Sequence, residues 1–223
     1  MKPILNQNNS LVTILDLKNG GYRLYNTFNL NKVSENDDYQ ELLGPLRFFI
    51  PFYESKICFF VGTAYNLNFP PDQIIVWDEE RKRKAGIILL KGACDYLKVR
   101  KEMLVCMVEF QILVFEIYKM ELILILDDCN NYFPFEISYE GNPAVIVYQS
   151  KSQPKQVKVV KIKLEAMSNK LISDKVNEYK EKFNLSIQDW GEILIPTHKK
   201  QFVVSTIFQD IVRIKVSNNV RFF

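Results

Sequence analysis

His198 is the sole histidine in the 223-residue chain, and that limits the chemistry available. One imidazole excludes a His-x-x-x-His zinc site and most mixed His/Cys metal clusters. It could serve a Ser or Cys nucleophile, but no Gly-x-Ser-x-Gly elbow occurs. No Gly-x-x-x-x-Gly-Lys phosphate loop and no Gly-x-Gly-x-x-Gly fingerprint occurs either. The adjacent carboxylates Asp37/Asp38, Glu79/Glu80 and Asp127/Asp128 fall where turns are expected, so they read as solvated acidic residues. Cys58, Cys94, Cys106 and Cys129 form no Cys-x-x-Cys pair and lie in or beside apolar runs. They read as reduced, buried thiols of a cytosolic protein, neither disulfides nor metal ligands. The expectation is a chain that is not an enzyme and needs no cofactor.

The elements that carry these residues are short. Apolar runs at 11–15, 22–25, 48–52, 57–61, 74–77, 86–90, 103–108, 112–117, 122–126, 144–148 and 157–162 are rich in Val, Ile, Phe and Tyr and bounded by polar, Gly or Pro residues. Such runs read as strands. No helical run separates them, which argues against α/β folds and for an all-β sandwich, barrel or propeller. Four stretches favour the propeller: Gly21-Tyr22-Arg23-Leu24-Tyr25-Asn26, Gln73-Ile74-Ile75-Val76-Trp77-Asp78, Gln111-Ile112-Leu113-Val114-Phe115-Glu116 and Gln156-Val157-Lys158-Val159-Val160-Lys161. They recur at roughly the 40–50-residue period of a four-stranded blade. Trp77 is expected to fill a gap between blades, with Asp78 ending its strand in a turn and Ile75 sharing its face. Residues 166–190 break the pattern. Leu171, Ile172, Val176, Tyr179 and Phe183 predict an amphipathic helix near 168–185, either a loop insertion packed on the propeller or a membrane-inserting segment.

Composition fits this class. Hydrophobic residues make up 48% and charged residues 25%, and Lys+Arg 29 against Asp+Glu 26 gives a formal charge of +3. This excludes a disordered chain and does not argue for nucleic acid. It tolerates an anionic surface if the cations cluster. Only 8 glycines must serve many turns. No apolar stretch has signal-peptide or membrane-span length, so a soluble, intracellular, single-domain chain is expected, with any membrane contact peripheral. The Lys-rich stretch 151–163 reads as a solvated edge strand kept charged against aggregation. Its exposed lysines could also add attraction to anionic lipid.

From residues 10 to 165 the sequence resembles the PROPPIN family, seven-bladed WD-repeat propellers that bind phosphoinositides in autophagy. Gly21-Tyr22-Arg23-Leu24-Tyr25-Asn26 is similar to its first-blade Gly-aromatic-Arg-aliphatic-aromatic-Asn strand. Phe59-Phe60-Val61-Gly62-Thr63, then Phe69-Pro70-Pro71-Asp72-Gln73-Ile74-Ile75-Val76-Trp77-Asp78 and Arg81-Lys82-Arg83-Lys84, are similar to its second blade. Tyr96-Leu97-Lys98-Val99-Arg100-Lys101-Glu102-Met103-Leu104-Val105-Cys106-Met107-Val108 is similar to its third. The resemblance implies a WD40-like propeller of which about four to five blades are present. The family's Phe-Arg-Arg-Gly motif occurs nowhere in the chain. An incomplete ring is expected to expose edge strands and to associate unless the gap is covered.

The resemblance also implies the site. Ile195-Pro196-Thr197-His198 is similar to a family Ile-Pro-Ala-His element, and Val220-Arg221-Phe222-Phe223 to the strand that follows it. This gives His198, Ser217 and Arg221 as headgroup ligands. A competing alignment, through Ile211-Val212-Arg213-Ile214, gives Ser205, Thr206 and Arg213. A polyanionic headgroup needs charge-assisted donors of this kind. Pro70, Pro71 and Asp72 are the implied partner-binding residues. Two functions follow. One is a cytoplasmic scaffold, peripheral on autophagosome-precursor or endosomal membranes, that binds phosphatidylinositol 3-phosphate or its 3,5-bisphosphate and recruits an autophagy lipid-transfer protein. The alternative is a propeller kept as a protein-interaction module without lipid binding.

Overall fold

The computed structural model describes residues 2–16, 20–36, 44–141, 143–166 and 199–208. They form sixteen strands in four antiparallel sheets, and no helix occurs among the described residues. The first sheet is β1 (Lys2–Leu5), β2 (Leu11–Leu15), β3 (Tyr22–Asn26) and β4 (Lys32–Asn36). The second is β5 (Leu46–Pro51), β6 (Ile57–Gly62), β7 (Gln73–Asp78) and β8 (Arg83–Leu89). The third is β9 (Cys94–Arg100), β10 (Met103–Val108), β11 (Gln111–Glu116) and β12 (Glu121–Leu126). The fourth is β13 (Glu136–Ile137), β14 (Ala144–Gln149), β15 (Gln156–Ala166) and β16 (Lys199–Phe208). Within each sheet the spatial order follows the sequence. Each is an up-and-down meander, the topology of a propeller blade.

The four recurrent stretches of the sequence are β3, β7, β11 and β15, the third strand of every sheet. Each lies between two hydrogen-bonded neighbours. In β7 and β11 residues 74–77 and 112–115 are buried throughout and read as continuous apolar runs, as does β10, whereas β3 alternates, with Tyr22 and Leu24 buried and Arg23 exposed. The strands absent from the eleven apolar runs are β1, which contains Pro3, the polar β4, β9 with its interleaved Asp95, Lys98 and Arg100, the two-residue β13 and the late β16. All five are edge strands. The Lys-rich stretch 151–163 is not an edge strand. β15 pairs with β14 on one side and β16 on the other. The helix expected near 168–185 lies outside the described residues.

Few glycines means that other residues turn the chain. Asn9, Leu30, Tyr53, Lys82, Glu109, Met120 and Asp128 all have φ between 49° and 64°, and six of the seven sit in turns between consecutive strands of one sheet. Left-handed backbone costs an L-residue roughly 1–2 kcal/mol, so each of these turns must be held by hydrogen bonds.

The described residues divide into two compact units, one up to Cys94 and one from Asp95 onward. In the first, the core joins Leu15, Tyr22 and Leu24 of sheet one to Leu46, Phe49, Cys58, Phe60, Ile75 and Trp77 of sheet two. The Tyr22 and Phe49 rings stack with centroids 3.7 Å apart, and Phe60 meets Trp77 edge-on at 5.8 Å. Trp77 thus fills the gap between sheets, with Ile75 on its face, as expected. In the second unit, Met103, Val105, Met107, Ile112 and Val114 pack against Phe135, Ile137, Ile146, Val160 and Ile162.

Candidate functional site

Three polar constructions organise the described residues. The first follows Trp77. Asp78 ends β7 as the sequence suggested: Oδ1 accepts the backbone N–H groups of Glu80 and Arg81 (3.1 and 3.0 Å), and Oδ2 accepts Arg81 NH1 at 2.9 Å. The Arg81 backbone N–H, outweighing burial, holds this carboxyl below its ordinary range. Glu79 corrects the reading of 79/80 as a solvated pair. It is only 8% exposed. Its carboxylate accepts the Trp77 indole N–H (3.0 Å), the Tyr22 and Ser34 hydroxyls and the Lys82 ammonium. Burial, then the bond to Glu79, pushes the Tyr22 phenol far up. Burial, then the charge of Glu79, does the same to the Cys58 thiol. Glu80, one residue on, is exposed.

The second construction corrects the reading of Asp128. Its carboxylate accepts the Ser150 hydroxyl, the Ser152 N–H and hydroxyl (2.7 and 2.9 Å) and Lys158 Nζ (2.7 Å). Burial alone would raise its pKa, but Lys158 and the serines outweigh burial and hold it well below the carboxylate range. Lys158 is therefore an internal partner of the β12–β13 connection. Asp127 beside it is exposed, while Asp37 and Asp38 lie outside the described residues. Arg100, 3% exposed, braces the β13–β14 turn by donating NH1 to the Ser138 carbonyl (2.7 Å) and to the Glu140 carbonyl (3.3 Å), while NH2 reaches the Gly141 carbonyl.

The third is the β6–β7 loop, residues 63–72, which holds the implied partner residues. Pro71 and Asp72 use their carbonyls to accept the N–H groups of Cys94 and Leu90 (both 2.8 Å), and Pro70 accepts Gln73 N–H at 3.3 Å. The Asp72 side chain is exposed. Asn66, which sequence reading missed, anchors the loop. It is buried, donates Nδ2 to the Pro45 carbonyl (3.2 Å) and accepts the N–H groups of Asn68 and Phe69 on Oδ1 (3.1 and 2.9 Å). Gly62 lets the loop fold back, since a Cβ there would lie 1.7 Å from the Phe69 carbonyl oxygen. With Asn66 turned inward, its neighbours Tyr65 and Leu67 turn outward, 87% and 97% exposed.

Of the implied headgroup residues, Ser205 and Thr206 lie in β16, opposite Val159 and Lys158. His198, Arg213, Ser217 and Arg221 lie outside the described residues. Among the described residues no three His, Cys, Asp or Glu side chains gather to hold a metal ion.

No protein-family model and no curated protein matches the sequence. Solved structures do match. Hsv2 from Kluyveromyces marxianus is 17% identical with a TM-score of 0.56, over 71% of this chain and 46% of that one. Kluyveromyces lactis Hsv2 is 18% identical with a TM-score of 0.52, over 70% and 43%. KlAtg21, solved in complex with the coiled coil of AgAtg16, is 15% identical with a TM-score of 0.58, over 72% and 51%. The fold is a β-propeller. It is the propeller fold of PROPPIN structures, which the sequence resemblance implied, and each four-stranded sheet is one blade. The chain spans about half the length of these propellers.

Proposed function

We propose that this propeller chain is a non-enzymatic, PROPPIN-like scaffold of autophagy that holds a protein partner on its second blade. The observation that carries this reading is the 63–72 loop. Its backbone is fixed by Asn66, Gly62 and the Pro71 and Asp72 carbonyls, yet it presents Tyr65 and Leu67 to solvent. Ordering a loop before binding removes much of the entropic cost of association, and aromatic anchors dominate interface energetics. Pro70, Pro71 and Asp72 follow in the same loop, with Asp72 exposed. The Atg21 structure with a coiled coil supports a protein partner, and an autophagy lipid-transfer protein is the class we favour.

Lipid binding is the finer part of the proposal. The scaffold would sit on cytoplasmic membranes carrying phosphatidylinositol 3-phosphate or 3,5-bisphosphate. Its donors would be His198, Ser217 and Arg221 or, on the other alignment, Ser205, Thr206 and Arg213. The alternative function is the partner face alone.

The test pairs two measurements on the full chain. Co-elution with the lipid-transfer protein of the source organism should weaken more than tenfold in Tyr65→Ser/Leu67→Ser, as expected for roughly 2 kcal/mol of anchor energy. Unchanged co-elution would overturn the partner face. Vesicle flotation should gain an increment from phosphatidylinositol 3-phosphate that Arg221→Ala or Arg213→Ala removes. No increment in the wild type leaves the protein-only function.

A further inference from the structure

Four hairpin turns of the first unit, β1–β2, β3–β4, β5–β6 and β7–β8, gather at one end. The β1–β2 turn meets the β3–β4 turn through Thr27 N–H to the Ser10 carbonyl (2.9 Å). It meets the β5–β6 turn through Asn6 Nδ2 to the Tyr53 carbonyl (3.0 Å) and Tyr53 N–H to Gln7 Oε1 (2.7 Å). The β7–β8 turn joins through Glu79 N–H to the Lys56 carbonyl (2.7 Å).

The β3–β4 turn is built from asparagines used inward. Asn26 Oδ1 accepts the N–H groups of Phe28 and Asn29 (2.9 and 3.3 Å), Asn29 Oδ1 accepts that of Asn31 (3.0 Å), and the Asn26 carbonyl accepts that of Leu30 (2.9 Å). This lock holds Leu30 at φ 57° and leaves Phe28 85% and Leu30 73% exposed, with Val33 beside them half exposed. The apolar apex is exposed on a hairpin whose backbone is held by its own hydrogen bonds.

Cations surround it at the same end. Lys32, Lys56, Arg81, Lys82, Arg83 and Lys84 are exposed, against two exposed carboxylates, Glu54 and Glu80. Lys82 and Arg81 answer the inward-facing Glu79 and Asp78, and Lys32 answers Glu35. Lys56, Arg83 and Lys84 make no ion pair among the described residues. Charge on the edge strands β4 and β8 would by itself serve solubility. Phe28, Leu30 and Val33 on the same edge work against solubility, so solubility does not account for the combination. A helical peptide docks in a groove, whereas an exposed apolar tip backed by cations matches the boundary between anionic headgroups and acyl chains.

We infer that this end of the first two blades is a membrane-docking surface for anionic phospholipid, with Phe28 and Leu30 entering the interface and the basic β7–β8 hairpin supplying attraction. It selects charge, not one headgroup, and it is independent of the headgroup residues proposed above. The full chain should therefore float with phosphatidylcholine vesicles that contain phosphatidylserine and no phosphoinositide, and not with phosphatidylcholine alone. Added salt should release it. Arg83→Glu/Lys84→Glu should weaken flotation roughly tenfold or more, and Phe28→Ser/Leu30→Ser severalfold. Phe28→Trp should shift its emission to the blue only when phosphatidylserine is present. Arg221→Ala and Arg213→Ala should leave this association intact, which separates it from the phosphoinositide increment. The inference is overturned by flotation that ignores phosphatidylserine, by both double variants floating like the wild type, or by Phe28→Trp emission that vesicles do not move.

Discussion

Glu79 follows Trp77 by two residues and turns back to accept its indole N–H at 3.0 Å. The same carboxylate accepts the hydroxyl of Tyr22 from the neighbouring sheet. A buried anion is tolerated only when its lone pairs are filled, and here Trp77, Tyr22, Ser34 and Lys82 fill them. The pair thus joins the first two blades by polar contacts behind the aromatic row Tyr22–Phe49–Phe60–Trp77.

Removing that carboxylate should therefore be far more costly than removing its neighbour. Glu79→Ala leaves the buried Trp77 and Tyr22 donors unanswered, and a loss of about 3 kcal/mol in unfolding free energy is expected. Glu80→Ala, at an exposed turn position, should stay within about 0.5 kcal/mol. Urea unfolding of both variants checks this. Equal effects would show that Glu79 does not join the sheets.

Asp128 predicts an acid sensitivity. Its native pKa lies below the unfolded value of about 3.9 because Lys158, Ser150 and Ser152 favour the anion. A depressed carboxyl contributes stability that is fully present above the unfolded pKa. That stability is lost as pH falls from there through the native pKa. Asp128→Asn should therefore destabilise the chain at pH 7 and lose less stability than the wild type below about pH 4. Thermal melts across that range read the difference, and parallel curves would remove Asp128 as a contributor.

The thiols should be silent until the chain opens. None of the four cysteines is in a disulfide, and all are buried. Burial pushes Cys129 up to about 12 and Cys58 well above its ordinary value, and the thiolate is the reactive form. A disulfide reagent at pH 8 should react slowly with the native chain and with all four thiols in denaturant. Rapid native reaction at Cys58 or Cys129 would contradict the packing described.

How much of this was legible follows from which interactions are local. The period of Tyr22, Ile75, Val114 and Val159 marked the third strand of each blade, because each sits in a short run of large apolar residues bounded by turn residues, a signal that is local to the run. Asp78 was legible as a turn former, since it bonds N–H groups two and three residues on. The Gly62-to-Asp72 segment was recognisable through its resemblance to the PROPPIN second blade. Glu79 and Glu80 could not be told apart. Their difference is made by Tyr22, 57 residues away, and by which face of a neighbouring sheet meets the turn. Asp128 and Lys158 meet across 30 residues for the same reason, so a carboxylate read as solvated and a lysine read as an edge charge form one ion pair. Phe28 and Leu30 were invisible as a surface because a short apolar residue in a loop looks the same whether it packs or protrudes. Side-chain chemistry and local backbone preference determined the strands and turns. Only the packing of sheet on sheet decided which polar groups are withdrawn from water and which apolar ones are left in it.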